Sequence, residues 1–210
     1  MNLENVLPED IERRSFEIIE SELPHPLDPA LAPIIKRVIH TTADFEFADS
    51  LFFSENAVPL ALKALGEGAT IVTDTNMARA GINRQALASL GCRAVCFMAD
   101  PDVAVAAREQ KTTRASASID KAADLAGTLI FAIGNAPTAL IRICELIREK
   151  RLSPALVVGV PVGFVNVVQA KEMIMQSGVP TIVARGRKGG STVAAAIINA
   201  LLYGITREED

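Results

Sequence analysis

A basic segment near the C-terminus has the residue types best suited to bind an anion. It places three cations within four positions, followed by two glycines and a residue suited to cap a helix, in the run Arg185-Gly186-Arg187-Lys188-Gly189-Gly190-Ser191. Arginine binds carboxylate and phosphate oxygens in bidentate fashion, and the N–H groups that open a helix bind them too. The run lacks the Gly-Lys-Ser/Thr ending of a P-loop. It predicts an anion site, with a solvated charge cluster before the last helix as the structural alternative.

A histidine, His40, lies near the predicted end of a helix, three residues after Arg37 and four after Lys36. Residues at these spacings share one face of a helix. The negative end of the helix dipole favours the protonated imidazole, whereas the adjacent cations oppose it. This balance suits acid/base chemistry near neutral pH, although a histidine that merely caps the helix is the plainer interpretation.

Polar segments with glycine, proline or asparagine follow the other predicted strands. They are Thr73-Asp74-Thr75-Asn76, Met98-Ala99-Asp100-Pro101, Gly134-Asn135-Ala136-Pro137 and Pro161-Val162-Gly163-Phe164. In parallel sheets, ligands bind beyond the carboxyl ends of the strands. Arg114, in the loop at 111–116, could add a clamp for a carboxylate. Connecting turns use the same residues for structural reasons alone, and Arg114 could equally be an exposed loop residue.

These segments need a framework of strands and helices. From residue 55 the chain alternates helical segments with short, apolar, β-branched segments, predicted as strands at 69–74, 93–98, 127–134, 154–160 and 179–185. The alternation predicts a three-layer α/β fold, with a five-stranded, mostly parallel sheet and helices on both faces. We expect a flavodoxin-like strand order, 2-1-3-4-5. The length fits one domain, residues 1–210, with an N-terminal helical part (1–54) and an alternating part (55–206).

Two helices are expected in the N-terminal part. The first opens at Pro8-Glu9-Asp10, and the second has Asp28 as its N-cap and Pro29 in its first position. An apolar stripe on the second helix is formed by Leu31, Ile34, Ile35, Val38 and Ile39.

The composition argues against several kinds of partner. Half of the residues are hydrophobic, tryptophan is absent, and the formal net charge is −4, so the chain has no overall attraction for nucleic acid or anionic membranes. No apolar stretch is long enough to span a membrane, and the polar start lacks a signal-peptide pattern, so we expect a cytoplasmic protein. Cys92, Cys96 and Cys144 are expected as reduced core thiols, and with two histidines they predict no metal site.

In their order and spacing, these segments resemble the precorrin-8X methylmutase family, also called precorrin isomerase, over nearly the whole chain. The resemblance is carried by Glu12-Arg13-Arg14-Ser15-Phe16, Val38-Ile39-His40, Val72-Thr73-Asp74, Thr113-Arg114, Gly134-Asn135-Ala136-Pro137-Thr138-Ala139-Leu140, Pro161-Val162-Gly163-Phe164-Val165 and the basic run at 185–191. It implies a homodimer without a cofactor. It also implies an isomerase of cobalamin biosynthesis, which moves a methyl group from carbon 11 to carbon 12 of a tetrapyrrole. The reaction converts precorrin-8X or cobalt-precorrin-8 to hydrogenobyrinate or cobyrinate.

The resemblance places the active-site histidine of the family at His40, for which we predict the role of proton donor. The predicted substrate-binding residues are Ser15, Arg37 and Arg114, by resemblance, and Asn135, Gly163, Arg185 and Arg187, from the residues themselves. Arginines and helix starts suit the carboxylates of such a substrate, and small residues let a flat ring approach the backbone.

Two questions stay open at the level of sequence. The run Val72-Thr73-Asp74-Thr75-Asn76-Met77 looks more like family members that act on a cobalt-containing substrate, in which the cobalt arrives with the tetrapyrrole. A protein that binds and hands on the corrinoid product is one alternative function. A flavodoxin-like nucleotide or flavin enzyme is another, although its phosphate-binding signatures are absent.

Overall fold

Eleven α-helices and six strands make up the part of the chain that the computed structural model describes, residues 4–207; positions 1–3 and 208–210 of the predicted domain lie outside it. The helices are α1 (Ile11–Glu22), α2 (Ala32–Thr42), α3 (Phe47–Ser50), α4 (Ala57–Gly66), α5 (Asn76–Gly81), α6 (Arg84–Ser89), α7 (Pro101–Glu109), α8 (Arg114–Ala123), α9 (Pro137–Arg148), α10 (Val167–Met175) and α11 (Ser191–Thr206). The strands are β1 (Leu51–Phe53), β2 (Thr70–Thr73), β3 (Arg93–Val95), β4 (Leu129–Ile133), β5 (Leu156–Gly159) and β6 (Thr181–Ala184).

The strands of the described residues form one mixed sheet in the order β1-β6-β5-β4-β2-β3. β1 is antiparallel to β6, and the other neighbours are parallel. The five strands predicted from the sequence, β2 to β6, lie in the expected order, 2-1-3-4-5 when numbered among themselves. The prediction of five strands in total was wrong, because β1 adds a sixth at one edge. β1 has three residues and follows a one-turn helix, so it is too short to show a strand period.

Helices cover both faces of the sheet, as predicted. One face packs against α2, α4 and α11, and the other against α8, α9 and α10. Strands β2, β4, β5 and β6 are buried along their whole lengths, which explains why they carry aliphatic residues without alternation. The predicted stripe of the second helix is buried at Ile34, Ile35, Val38 and Ile39.

The start of the second helix and the end of the second predicted strand each differ from the prediction by three residues, and hydrogen bonds account for both differences. α2 begins at Ala32 and not at Pro29. The carbonyl of Asp28, the predicted N-cap, instead closes a turn with the N–H groups of Leu31 and Ala32, at 2.9 and 2.8 Å. The second predicted strand ends early, at Val95. Its neighbour β2 ends at Thr73, whose hydroxyl donates to the Val95 carbonyl at 3.3 Å.

The three cysteines are free and buried, with Cys92 and Cys96 flanking β3 and Cys144 in α9. Between residues 4 and 207, no helix has the length and apolar character needed to cross a membrane.

Candidate active site

Asp74, directly after β2, holds the turn between β4 and α9. Its buried carboxylate accepts hydrogen bonds from the backbone N–H groups of Gly134, Asn135 and Ala136, at 2.9, 2.8 and 2.6 Å. Burial raises the pKa of the Asp74 carboxyl, and the three N–H donors oppose that rise. These bonds fix Asn135, which is exposed, at the carboxyl edge of the sheet.

The same turn lies against the start of α11. Glycine is required at Gly134, since a Cβ there would lie 2.7 Å from the Cα of Ser191. The Ser191 hydroxyl in turn lies 2.8 Å from the Thr75 hydroxyl. α11 opens without a side-chain cap, so its first N–H groups and the positive end of its dipole lie where these turns meet.

The basic loop, residues 185–190, is held by the turn that follows β5. The N–H of Gly190 donates to the carbonyl of Val160 at 2.8 Å, and the carbonyl of Arg187 accepts from the N–H of Gly163 at 3.2 Å. Gly189 has a φ of 155°, and a Cβ there would overlap the Val160 carbonyl. The structure thus brings together Gly163 and Arg187, two of the predicted binding residues.

A buried lysine, Lys171 of α10, lies beneath the basic loop. Its ammonium group donates to the carbonyls of Gly186 and Lys188, at 2.9 and 2.8 Å. Burial lowers the pKa of Lys171 to about 8, because the charged ammonium loses its hydration there. The lysine therefore supports the loop from within the protein.

Two exposed arginines of the basic loop lie over aromatic rings. The Arg185 guanidinium is 5.0 Å from the centre of the Phe52 ring, and that of Arg187 is 5.4 Å from the centre of the Phe164 ring. Phe164 and Val165 are 80% and 78% exposed. Adjacent apolar side chains exposed to this degree are typical of a surface that contacts a ligand or a partner.

His40 lies in a groove between α1 and α2. The groove has a volume of about 250 Å³ and is lined by Ser15, Ile18, Ile19, Glu22, Ile39, His40, Ala43 and Phe45. The Phe16 ring packs against the imidazole, with 5.3 Å between the ring centres and 55° between the planes. The Ser15 hydroxyl donates to the Ile11 carbonyl at 2.8 Å, which leaves its oxygen free to accept a hydrogen bond from a ligand. The structure thus brings Ser15 and His40 together.

Lys188 ties the chain after His40 to the basic loop. Its ammonium group lies 2.6 Å from the carboxylate of Asp44 and 2.8 Å from that of Glu46. The hydrogen bond from Lys188 lowers the pKa of Asp44. Since Ala43 and Phe45, on either side of Asp44, line the groove, this ion pair makes the groove and the basic loop neighbours.

The helical spacing predicted that Arg37 and Lys36 share one face of the helix with His40. In the structure, both side chains instead pair with carboxylates of α1. The Arg37 guanidinium donates to Glu12 at 2.9 Å and lies against two aromatic rings, and Lys36 pairs with Glu20. Both cations face α1, whose carboxylates neutralise them. Arg37 is also not among the residues that line the groove.

Arg114 lies at the carboxyl edge of the sheet but on a different side from His40. It is exposed and opens α8, where the Thr113 hydroxyl accepts from the N–H of Ser116 at 3.1 Å and meets the Thr138 hydroxyl at 2.9 Å. α8 packs on one face of the sheet and α2 on the other. Arg114 accordingly does not line the groove of His40.

Two residues that organise the site, Asp74 and Lys171, were not among the predicted site residues. Asp74 follows a fully buried strand, and Lys171 lies four residues after the buried Val167 and three before the buried Ile174, on one face of the helix. In both cases the sequence signal was a charged residue at a position where the surrounding pattern predicts a buried apolar one.

The arrangement suits a ligand that has carboxylates around a flat, apolar body. Exposed guanidinium groups and the start of α11 can bind carboxylates, and Phe164 with Val165 can contact an apolar face. An imidazole in an adjacent groove can hold or donate a proton.

Comparison with known proteins shows similarity along most of the chain. The family CbiC, precorrin-8X methylmutase, matches residues 10–204. The cobalt-precorrin-8 methylmutase of Salmonella typhimurium is 45% identical over 203 residues, covering 93% of this chain and 95% of that protein. The cobalt-precorrin-8 methylmutase of Priestia megaterium is 44% identical over 197 residues, covering 93% and 88%. The crystal structure of precorrin-8X methylmutase from Thermus thermophilus matches with a TM-score of 0.84 and 42% identity, over 92% of this chain and 96% of that one.

Proposed function

This chain belongs to the precorrin-8X methylmutase family, and on that basis we propose that it moves a methyl group from carbon 11 to carbon 12 of a tetrapyrrole. It is an isomerase of cobalamin biosynthesis. The family match over residues 10–204 carries the proposal, because it spans both the groove of His40 and the basic loop. The bond between the methyl group and carbon 11 breaks as the bond to carbon 12 forms within the same molecule, so no second substrate and no cofactor are needed.

The proposed substrate is cobalt-precorrin-8, which would give cobyrinate. The names of the two curated relatives described above support the cobalt form, as does the run from Val72 to Met77. Precorrin-8X, which would give hydrogenobyrinate, is the metal-free alternative.

Several predicted residues are proposed to bind the carboxylates and the face of the ring. Arg185 and Arg187 are exposed, lie over aromatic rings and are not neutralised by the ion pairs found among residues 4–207. Asn135 and Gly163 lie in turns whose backbones are fixed. An anionic substrate would be attracted by these local cations, although the chain as a whole is acidic.

His40 is proposed to donate a proton, or a hydrogen bond, to a ring nitrogen of the substrate. Protonation would draw electron density from the conjugated system and so lower the barrier to the methyl shift. Ser15, on the same groove, is proposed to accept a hydrogen bond from the substrate. Arg37 remains a weaker candidate for binding, because its guanidinium would first have to leave Glu12.

A second copy of the chain is proposed to complete the site. The groove of about 250 Å³ is smaller than common ligand sites, which measure ~300–1,000 Å³, so a tetrapyrrole would extend beyond it. The helices of His40 and Arg114 pack on opposite faces of the sheet, so we propose that it is the partner subunit's Arg114 that reaches the groove.

A mixture of two inactive variants tests the shared site. His40→Ala and Arg114→Ala homodimers would each lack activity, whereas half of the dimers in a random mixture combine both chains and keep one intact site. About a quarter of wild-type activity should then return on mixing. No recovery in a mixture whose subunits are shown by mass spectrometry to exchange would contradict the shared site.

The chain is proposed to act as one domain, residues 1–210, in the cytoplasm. The helices of its N-terminal part share a core with the alternating part, since Ile19 and Ile35 pack in the same cluster as Ile197. Deletion of residues 1–54 should therefore abolish cooperative unfolding in circular dichroism. Fractionation of cells that express the natural gene would test the location.

Anaerobic incubation with cobalt-precorrin-8 and, separately, with precorrin-8X tests the reaction. The visible spectrum should change to that of a corrin with the wild-type enzyme, faster with the cobalt form. Tight binding of cobyrinate without turnover of either precursor would instead support the carrier function. A purified protein that contains bound flavin would support the flavin alternative.

A further inference from the structure

Lys171 is a buried cation without a role in the reaction proposed above. Its residue surface is 1% exposed, on the face of α10 that carries the buried Val167 and Ile174. Among residues 4–207, it forms none of the ion pairs between lysine and carboxylate. A charge without hydration or an ionic partner costs stability, so its presence calls for a compensating role.

The contacts of Lys171 lie on either side of Arg187. Its ammonium group donates to the carbonyls of Gly186 and Lys188, at 2.9 and 2.8 Å. The carbonyl of Arg187 itself accepts from the N–H of Gly163 at 3.2 Å. Three successive carbonyls are therefore bound, which fixes the backbone from which the Arg187 side chain extends.

We propose that Lys171 is a positioning residue for substrate binding, which holds the basic loop so that Arg187 meets a carboxylate of the tetrapyrrole. The inference rests on the proposed function for the identity of that anion. The fixed backbone presents the Arg187 guanidinium beside the exposed Phe164 ring, at 5.4 Å, where an apolar ligand face and its carboxylate would lie together. The buried charge also raises the positive potential at the loop without occupying the binding surface.

Steady-state kinetics with cobalt-precorrin-8 separate positioning from a merely structural role. Lys171→Met keeps an unbranched apolar side chain but removes the charge and the donors. It should raise KM about tenfold with kcat within about twofold, since Arg187 contributes to binding. The double variant with Arg187→Ala should be no worse than Arg187→Ala alone, because both changes remove one contact. Lys63→Met, at a lysine whose side chain is 71% exposed on α4, is the control and should match the wild type.

Hydrogen exchange tests the same inference without turnover. In Lys171→Met, the amides of Gly163 and Gly190, which bond the basic loop to the turn after β5, should exchange at least about tenfold faster. The amides of Asn135 and Ala136, bound by Asp74, should stay protected. Lys171→Gln keeps N–H donors without the charge, and it should fall between the wild type and Lys171→Met in both exchange and KM.

Additive effects on KM, or exchange that is unchanged in both variants, would overturn the positioning role. If Lys171→Met does not fold, Lys171→Gln supplies the same comparison. Faster exchange in the variants with no turnover by the wild type would leave the positioning of the loop standing and contradict the proposed function instead.

Discussion

At the scale of single residues, the side chains around His40 come mainly from α1 and less from its own helix, α2. Phe16 packs on its ring, and Ser15 lines the same groove. The cations that precede His40 in α2 pair with acidic residues of α1. An imidazole supported by an aromatic ring and exposed on one side is well placed to meet a ligand and exchange a proton with it.

Replacement of His40 tests its role as an acid. A positioned acid contributes typically ~10²–10⁴-fold to turnover, so His40→Ala should lower kcat by that factor while binding of cobyrinate changes little. Turnover is followed by the visible spectrum and binding by absorbance titration. Equal kcat in the variant and the wild type would exclude the acid role.

The other histidine of the chain provides a matched control. His25 is exposed and its Nε2 lies 2.8 Å from Asp49, a hydrogen bond that raises the pKa of His25. His25→Ala should therefore leave kcat unchanged. A comparable loss in both variants would indicate a general effect on the fold.

Some site residues could be predicted from the sequence because their position follows from local pattern. Asn135, Gly163 and Arg187 come one to three residues after predicted strands, which places them at the carboxyl edge of the sheet. The pairing of Arg37 with Glu12 was not predictable, because it depends on how α1 packs on α2, 25 residues away in sequence.

At the scale of elements, a carboxylate on α1 joins three helices. Glu12 accepts a hydrogen bond from Arg37 of α2 at 2.9 Å and one from Arg207, directly after α11, at 2.7 Å. Arg37 and Arg207 both lie against the ring of Tyr203 in α11. This cluster fixes α1, and with it Ser15 and the wall of the groove.

The stability that Glu12 confers should depend on pH. The hydrogen bond from Arg37 is the main cause that lowers the pKa of Glu12 from 4.5 to about 2, so the folded state holds the carboxylate more strongly than the unfolded state does. The contribution is therefore complete above about pH 4.5 and is lost as the pH falls towards about 2. Because the Glu12 side chain is 40% exposed, solvent screening limits the effect to about 1 kcal/mol.

Thermal unfolding of Glu12→Gln measures that contribution. The variant should melt about 2–4 °C below the wild type near neutral pH, and the difference should shrink as the pH falls through 4. Glu17→Gln, which removes exposed ion pairs elsewhere on α1, is the control and should change the free energy of unfolding by less than about 0.5 kcal/mol. A difference for Glu12→Gln that is constant with pH would contradict the role of the charge.

The elements themselves were largely predictable, since β2 to β6 are continuous apolar runs separated by amphipathic helices. The missed strand, β1, has three residues and is defined by its pairing with β6 from the far end of the chain. The start of α2 was misplaced because Asp28 forms a turn with the same hydrogen-bonding groups that would cap a helix.

At the scale of the whole molecule, an acidic chain carries three exposed arginines at the carboxyl edge of the sheet that form none of the ion pairs found among residues 4–207. Arg114, Arg185 and Arg187 are all exposed there, at the start of α8 and in the basic loop. Carboxylates of the protein neutralise most of the other arginines and lysines near the groove, including Lys36, Arg37 and Lys188. This distribution favours a small anionic ligand bound at the carboxyl edge, and it does not favour nucleic acid or an anionic membrane.

The movement of the methyl group itself is the most direct test of the proposed function. Cobalt-precorrin-8 and, separately, precorrin-8X, each with a ¹³C-labelled methyl group at carbon 11, would be incubated anaerobically with the wild-type enzyme, and the products examined by ¹³C NMR. The proposed methyl shift predicts a product labelled at carbon 12, with no exchange of methyl groups when labelled and unlabelled molecules are mixed. A label that stays on carbon 11 with both substrates, or one that passes between molecules, would contradict it.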